Sequence, residues 1–347
     1  MSAPHPYVTV VVVNYNGGAF LSRCLRSMLA QSGPSFEVVV VDNGSSDGSL
    51  EALPGDVTLD PRLRVVALGE NLGFAAGNNR GAEGSEARWI CTLNPDAFPR
   101  PGWLARLVAG AEGSGALMAG GTQVLANKPD VLDGLGDALH ISGLAWRMGF
   151  GHSVADTVPS APYPVFGPCA AGAIYDRELF HALRGFDESF FCYHEDVDLA
   201  LRMRRAGATA VQIPDAVLDH VSSGITGRAS PFAVYHGTRN RMWTFAGSMP
   251  LAGLLLLGPV HIAMTLFMLG WAGWRSRRWL STWRGVRDGV RGLPRVLRER
   301  RGKPDAVGFP GILPALAANP LTVVARGLVG GPFAPAEGAV SAELEKS

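Results

Sequence analysis

The sequence predicts an α/β fold with a mostly parallel central sheet flanked by helices, followed by a C-terminal helical region of different character. Three observations carry this. In the first 125 residues short β-rich runs alternate with helical periodicity. Those runs are apolar throughout, as in strands buried on both faces. Past residue 240 an uncharged stretch gives way to an arginine-rich one.

The elements follow in order. Val8–Val13, Glu37–Asp42, Leu63–Leu68 and Trp89–Asp96 are the strand-like runs. Between the first two, Phe20, Leu21, Cys24, Leu25, Met28 and Leu29 recur at helical spacing, and Gly33-Pro34 ends that helix. Strands alternating with helices imply right-handed crossovers and a ligand site beyond the strands' carboxyl ends. Four polar, turn-prone clusters stand there: Asn14-Tyr15-Asn16-Gly17, Asp42-Asn43-Gly44-Ser45, Glu70-Asn71 and Asn94-Pro95-Asp96. Residues 126–165, rich in Gly, Asp and Pro, read as an excursion over that site, and Phe166–His220 as a second compact section. The expected boundaries are an α/β domain over 1–230, divided into two halves near 125. A membrane-associating region over 231–303 follows, then a loosely ordered Ala/Gly/Pro-rich tail over 304–347.

Composition narrows the class. With 347 residues, 47% hydrophobic and 18% charged, the chain can bury a large core. A net charge of +1 argues against a nucleic-acid partner. The four cysteines, Cys24, Cys91, Cys169 and Cys192, lie far apart, so neither a disulfide framework nor a zinc site is expected. MSAPHPY enters the first strand without a charged or apolar leader, and the expectation is a cytoplasmic catalytic domain without a signal peptide.

Six segments carry chemistry. Asp42, at a strand end, suits a nucleobase or ribose edge, whereas Asp47 serves a ligand or caps a helix. Asn71–Gly81 (NLGFAAGNNRG) is a glycine-spaced loop entering a helix, where small residues allow close backbone approach and a helix N-terminus attracts phosphate. Asp96 offers a hard oxygen to Mg²⁺ or Mn²⁺, or forms a turn. Gly185–Leu199 (GFDESFFCYHEDVDL) sets acids among aromatics, surroundings that raise a carboxylate pKa toward that of a general base. Glu195 and Asp196 fall in the first turn of the helix that follows, where acids are also common for electrostatic reasons. His220, after a strand-like run, is a ligand or structural. Arg239-Asn240-Arg241 suits phosphate recognition or flanks a membrane-facing helix.

Together these stretches resemble the GT-A glycosyltransferases of family two, over about residues 8–245. VVVNYNGG, VVVDNGSSDGS, NLGFAAGNNRG, LNPDA, GFDESFFCYHEDVDLALRMRRAG, His220 and RNRMW carry the resemblance in order. It implies a GT-A fold, a nucleoside-diphosphate sugar donor, Mg²⁺ or Mn²⁺, and inversion at the anomeric carbon. Asp96 matches the last acid of the DxD metal motif, whose first carboxylate is here Asn94, and His220 matches a late metal- or diphosphate-holding histidine. Asp196 matches the catalytic base, with Glu195 beside it. The donor set is Asn14, Tyr15, Asn16, Asp42, Asn71, Gly73, Asn78, Asn94 and Arg239. The wording is most like bacterial rhamnosyltransferases of cell-wall or surface polysaccharide assembly, implying dTDP-rhamnose and a glycan or polyprenyl-linked acceptor. Homo-oligomerisation is left open.

Two other classes fit less well. A sugar nucleotidyltransferase would carry a glycine-rich basic loop where Asn14–Gly18 stands, and a dehydrogenase a glycine fingerprint after Val13. A non-catalytic membrane-bound binding module would not need the Glu195-Asp196 pair. Met242–Trp274 holds no Asp, Glu, Lys or Arg and exceeds the ~20 residues of a membrane span. Glycines and prolines interrupt it, as in a hairpin lying in the membrane plane. Trp271, Trp274, Trp279 and Trp283 suit interfacial anchors, and the eleven basic residues of Arg275–Lys303 suit anionic lipid. The reading is attachment to the cytoplasmic face of the plasma membrane; the alternative is a helix covering the catalytic domain.

Overall fold

A computed structural model describes residues 5–222, 230–275, 278–300 and 305–319. The first half runs β1 (Val8–Asn14), α1 (Gly18–Leu29), β2 (Phe36–Asp42), α2 (Gly55–Thr58), β3 (Leu63–Ala67), α3 (Gly73–Ala82), β4 (Trp89–Leu93), β5 (Ala97–Pro99) and α4 (Trp103–Ser114). There follow β6 (Met118–Leu125), β7 (Lys128–Gly134), β8 (Asp137–Leu139), β9 (Ala145–Arg147), α5 (Val154–Thr157), β10 (Tyr163–Pro164), β11 (Gly172–Asp176) and α6 (Arg177–Ala182). The last elements are α7 (Glu195–Arg205), β12 (Ala210–His220), α8 (Pro231–Ser248), α9 (Leu251–Arg275), α10 (Trp279–Glu299) and α11 (Gly308–Ile312).

The sheet is ordered β10-β12-β6-β11-β4-β1-β2-β3, with β5 on β12 and β7 on β6. β4, β1, β2 and β3 are mutually parallel, as predicted, and β11 enters antiparallel between β4 and β6. The valines of β1 and β2 alternate between two core layers. Val8, Val10 and Val12 pack with Leu21, Leu25 and Met28 of α1, whereas Val11 and Val13 pack with Ala75 and Ala82 of α3. β3 departs from the expectation of burial on both faces. It is an edge strand, with Arg64, Val65 and Ala67 exposed, because β2 is its only partner.

The glycine-spaced segment is also corrected. Apart from its first residues it is the helix α3, and its glycines serve packing. A Cβ at Gly77 would stand 2.7 Å from Val13 and one at Gly81 2.3 Å from Val11, so glycine lets α3 lie directly on β1.

Residues 126–165 form β7 and the β8–β9 hairpin, which lean on the catalytic edge. The uncharged stretch splits in two. Its start is the buried end of α8, and α9 follows after Pro250. α9 turns Leu257, His261 and Thr265 inward, while Leu255, Leu256, Ile262, Leu266 and Phe267 are at least 60% exposed. The expected loose tail is contradicted over 305–319. Phe309, Ile312 and Leu316 are buried in the core, and Ala317 donates to Leu139 O at 2.8 Å. Isolated apolar residues among Gly, Ala and Pro suffice to dock a short segment where a matching surface exists. The rest of the tail, and the side chain of Trp274 as an anchor, lie outside the described residues.

Candidate active site

The site is built where parallel strands end. Asn14 and Asp42 are register partners at the ends of β1 and β2. Asn14 Nδ2 donates to Asp42 Oδ1 at 3.2 Å, to Ser45 Oγ at 3.0 Å and to Ser49 Oγ at 2.9 Å. Asn16, at φ 54°, receives Ser46 N on its Oδ1 at 2.9 Å and so joins the two loops. Tyr15 is 40% exposed beside them. Asp47, open between ligand and cap, accepts from Gly18 N at 2.8 Å and so fixes the start of α1.

β4 stops at Leu93, and Asn94-Pro95-Asp96 turns back under the sheet edge. The Gly17 backbone crosses this turn: a Cβ there would stand 3.5 Å from Pro95. His220 ends β12 opposite Ala97, which sets its ring against Asp96. Nε2 lies 3.2 Å from Asp96 Oδ1, and Nδ1 lies 2.7 Å from Asp133 Oδ2. Asn94 Nδ2 stands 3.4 Å from the same Nε2. Asp133 in turn pairs with Arg147. Burial alone would push the His220 pKa down, but the Asp96 and Asp133 carboxylates outweigh it and raise it to about 9. Burial likewise opposes ionisation of Asp133, and the Arg147 and His220 charges hold it well below the usual carboxylate range.

Two cis ligands of an octahedral cation at about 2.1 Å are about 3 Å apart. The 3.2 Å between His220 Nε2 and Asp96 Oδ1 matches that edge. The Asp133–His220 bond repeats the carboxylate–histidine pairing that fixes a ligand imidazole's tautomer and orientation. The donor set therefore fits a divalent cation, with Asn94 leaving room for water or phosphate oxygens.

The acid pair adjoins this edge from the other side. Asp196 Oδ2 accepts from Ala170 N at 3.3 Å, and the next residue, Ala171, accepts Asn94 N at 3.0 Å. The side-chain tips of Asp137, Cys169 and Asp196 lie within 4.8 Å of one another. Arg147, register partner of Asp137, acts on all three electrostatically as well as on Asp133, and so joins the two acidic groups. Asp196 is pushed up by burial, with the Ala170 and Val197 N–H groups pulling it back toward the ionised form. Glu195 is pushed well above its ordinary range by burial and by the neighbouring Asp196, and its Oε2 has no partner. Burial raises both adjacent carboxyls, Glu195 the further because Asp196 adds to it while two N–H groups and Arg147 hold Asp196 back.

The loop before this pair holds Phe191, Tyr193 and His194 at φ 66°, 70° and 69°, a region that non-glycine residues rarely occupy. Asn240, fully buried on α8, holds it. Its Nδ2 donates to the carbonyls of Phe190, Cys192 and Tyr193 at 2.9, 2.9 and 2.7 Å. Arg239 donates to Ser189 O and Phe190 O.

Of the predicted residues, the contacts join Asn14, Asn16, Asp42, Asn94, Asp96, Asp196 and His220 along one edge. Asn71 Oδ1 accepts from Asn43 Nδ2 and Gly73 N, Gly73 O accepts from Asn43 Nδ2, and the space over Gly73 is taken by Phe191. Asn78 is buried within α3, and Arg239 is occupied by the 189–190 carbonyls. Asp133 and Arg147 went unread, and Asn240 was read only as the middle of the Arg239–Arg241 run. One signal existed for Asn240, a short amide in mid-helix, where it competes with the backbone unless another task holds it.

A model described as glycosyl transferase family 2 matches residues 9–184. The succinoglycan biosynthesis protein ExoO of Rhizobium meliloti is 34% identical over 239 residues, which is 64% of this chain and 63% of that protein. An N-acetylglucosaminyl-diphospho-decaprenol L-rhamnosyltransferase of Mycobacterium tuberculosis is 27% identical over 294 residues, 72% of this chain and 92% of that protein. The mannosyltransferase PcManGT of Pyrobaculum calidifontis, solved with GDP-Man and Mn²⁺, superposes with a TM-score of 0.54 at 18% identity, over 94% of this chain and 81% of that one. GalNAc-T7, solved with UDP, GalNAc and Mn²⁺, gives 0.55 at 16% identity, over 71% of this chain and 51% of that one. At such identities these structures speak for the fold alone, and the fold is GT-A. On the matched residues, more than half its length, the chain belongs to glycosyl transferase family 2.

Proposed function

We propose that this protein transfers a sugar from a nucleoside-diphosphate donor to an acceptor hydroxyl with inversion, using Asp196 as general base. One observation carries the reading. The Asp96–His220 pair, spaced for a cation, and the acid pair of α7 meet at one strand edge through the Ala170–Ala171 segment. Asn14, Tyr15, Asn16 and Asp42 would face the nucleoside. Gly73 leaves the donor set because Phe191 covers it, Arg239 because the 189–190 carbonyls hold it, and Asn78 because it is buried within α3, whereas Asn71 stays in the set.

The Asp196 carboxylate removes the acceptor proton while the oxygen–anomeric carbon bond forms and the bond to the diphosphate breaks on the opposite face. Burial and the neighbouring Asp196 favour the neutral form of Glu195, which leaves the base role to Asp196. Asp96 and His220 would hold Mg²⁺ or Mn²⁺, whose charge offsets that growing on the leaving diphosphate. The resemblance and the mycobacterial relative's name favour L-rhamnose from dTDP-rhamnose and a polyprenyl-linked acceptor. The exposed apolar face of α9 favours work at the cytoplasmic membrane surface.

The test is a thermal-shift panel of nucleotide sugars with and without Mn²⁺, followed by transfer assays on Asp196→Asn. Turnover should fall about 10²–10⁴-fold while nucleotide binding persists. Near-normal turnover of the variant would refute the base assignment.

A further inference from the structure

Among the described residues three arginines are deeply buried, and their standing is unlike. Arg202 meets Asp198 at 2.7 Å and the carbonyls of Leu183 and Gly185, and Arg205 meets Asp305 and Ser248 O. Arg241 is 2% exposed, yet donates through Nη2 alone, to Thr265 Oγ1 at 2.7 Å. Its Nε and Nη1 are buried without an acceptor. Among the described residues no carboxylate offsets its charge, and burial alone draws its pKa down to about 10. A buried guanidinium with unmade bonds and no counter-charge is costly, so its retention calls for an explanation.

Its place in the fold narrows what that is. Arg241 lies in the seam between α8 and α9. One turn before Thr265, His261 stacks on Phe245 with ring centroids 4.1 Å apart, and its Nδ1 lies 2.9 Å from Ser142 O. Ser142 sits in the turn of the β8–β9 hairpin, whose strands carry Asp137 and Arg147 toward Asp196. The seam therefore lies between the acid pair and α9, whose opposite face is bare hydrocarbon. Two unused donors on a fixed planar cation suit phosphoryl oxygens.

We propose that Arg241 binds the diphosphate of a lipid-linked acceptor, with the lipid running along the outer face of α9 and the sugar reaching Asp196. This deepens, and rests on, the glycosyltransferase reading above.

The test uses the full-length chain in neutral detergent, with the donor site saturated by dTDP and Mn²⁺. The probes are geranylgeranyl diphosphate, geranylgeraniol and inorganic pyrophosphate. The diphosphate lipid should raise the melting temperature of the wild type, and the alcohol should not. Arg241→Met should remove that response and raise the starting melting temperature by about 2–4 °C, because an uncompensated charge is gone. A lower starting temperature would make the arginine structural, and an unchanged lipid response would remove it from the site; either overturns the proposal. Pyrophosphate reproducing the whole shift would overturn the lipid-linked source. The dTDP shift, measured on the same samples, separates the two readings. Its absence strikes the dTDP-rhamnose donor of the reading above, whereas a normal dTDP shift with no lipid response strikes this inference alone.

Discussion

Two polar regions flank the catalytic edge, and they are finished to different degrees. Around His220, the chain of Asp96, imidazole, Asp133 and Arg147 links each group to the next. Around the start of α7 and the inner face of α8, Glu195 Oε2, Thr244 Oγ1 and two nitrogens of Arg241 lack partners, and three residues hold left-handed backbone. In a low-dielectric interior each unmade bond costs about 1–3 kcal/mol, and each strained residue a similar amount. The first region is a rigid frame complete in itself. The second keeps unmade bonds, as the proposed substrate site would before its ligands enter, and its strained loop is held by Asn240 and Arg239 on α8.

The sharpest way to break the first region is Asp133→Asn. The His220 ring then loses the carboxylate that orients it, and Mg²⁺ affinity should fall about 10–100-fold near pH 9. The pH dependence has a definite sign. In the metal-free protein His220 keeps its proton up to about 9, so it competes with the cation, and wild-type affinity weakens as pH drops from 9 to 7. In the variant the imidazole pKa is lower, so the gap between the two proteins should narrow over that fall. Calorimetry with nucleoside diphosphate present, at both ends of the range, checks this. A gap independent of pH would remove the proton competition from the account.

The second region is probed by Asn240→Leu, which keeps the volume and removes the donors to three carbonyls. The base loop should relax, lowering kcat about tenfold by misplacing Asp196, with nucleotide affinity unchanged. Equal loss in both quantities would mean that α8 supports the whole edge and not the loop alone.

The unequal finish of the two regions also explains what was legible in the sequence. The strand ends read directly, because valine runs with polar stops leave one arrangement of the sheet, and Asn14, Asp42 and Asp96 stand at those stops. The Glu195-Asp196 pair stood out because acids among aromatics are unusual, and the resemblance chose Asp196 between them. Asp133 and Arg147 were not, since they meet the site through a hairpin within a Gly-rich stretch whose pairing no local pattern announces. The α3 glycines were misread because close approach to a ligand and close approach to a valine strand require the same residue. The 305–319 segment was misread because its docking depends on a surface formed by residues far away in sequence.

The smallest expected effect concerns a third surface. α10 exposes Trp283, Val290 and Leu297 at seven-residue spacing, with Arg284, Arg291 and Arg298 one position further along. On its other side Gly285, Gly289 and Gly292 let it lie against Thr238, Met242 and Trp243 of α8. A helix so divided suits the membrane plane: its apolar stripe enters the acyl boundary and its arginines meet anionic headgroups. Each such arginine contributes about 1 kcal/mol near the surface, so Arg284→Gln should weaken partition onto anionic vesicles about fivefold. The same change should leave partition onto neutral vesicles untouched, and 0.5 M salt should erase the difference because it shortens the screening length to a few ångströms. Co-sedimentation with both vesicle types measures it. If the variant loses ground equally on neutral lipid, α10 contributes packing to α8 rather than charge to the membrane, and the outer face of α9 would be left to hold the bilayer alone.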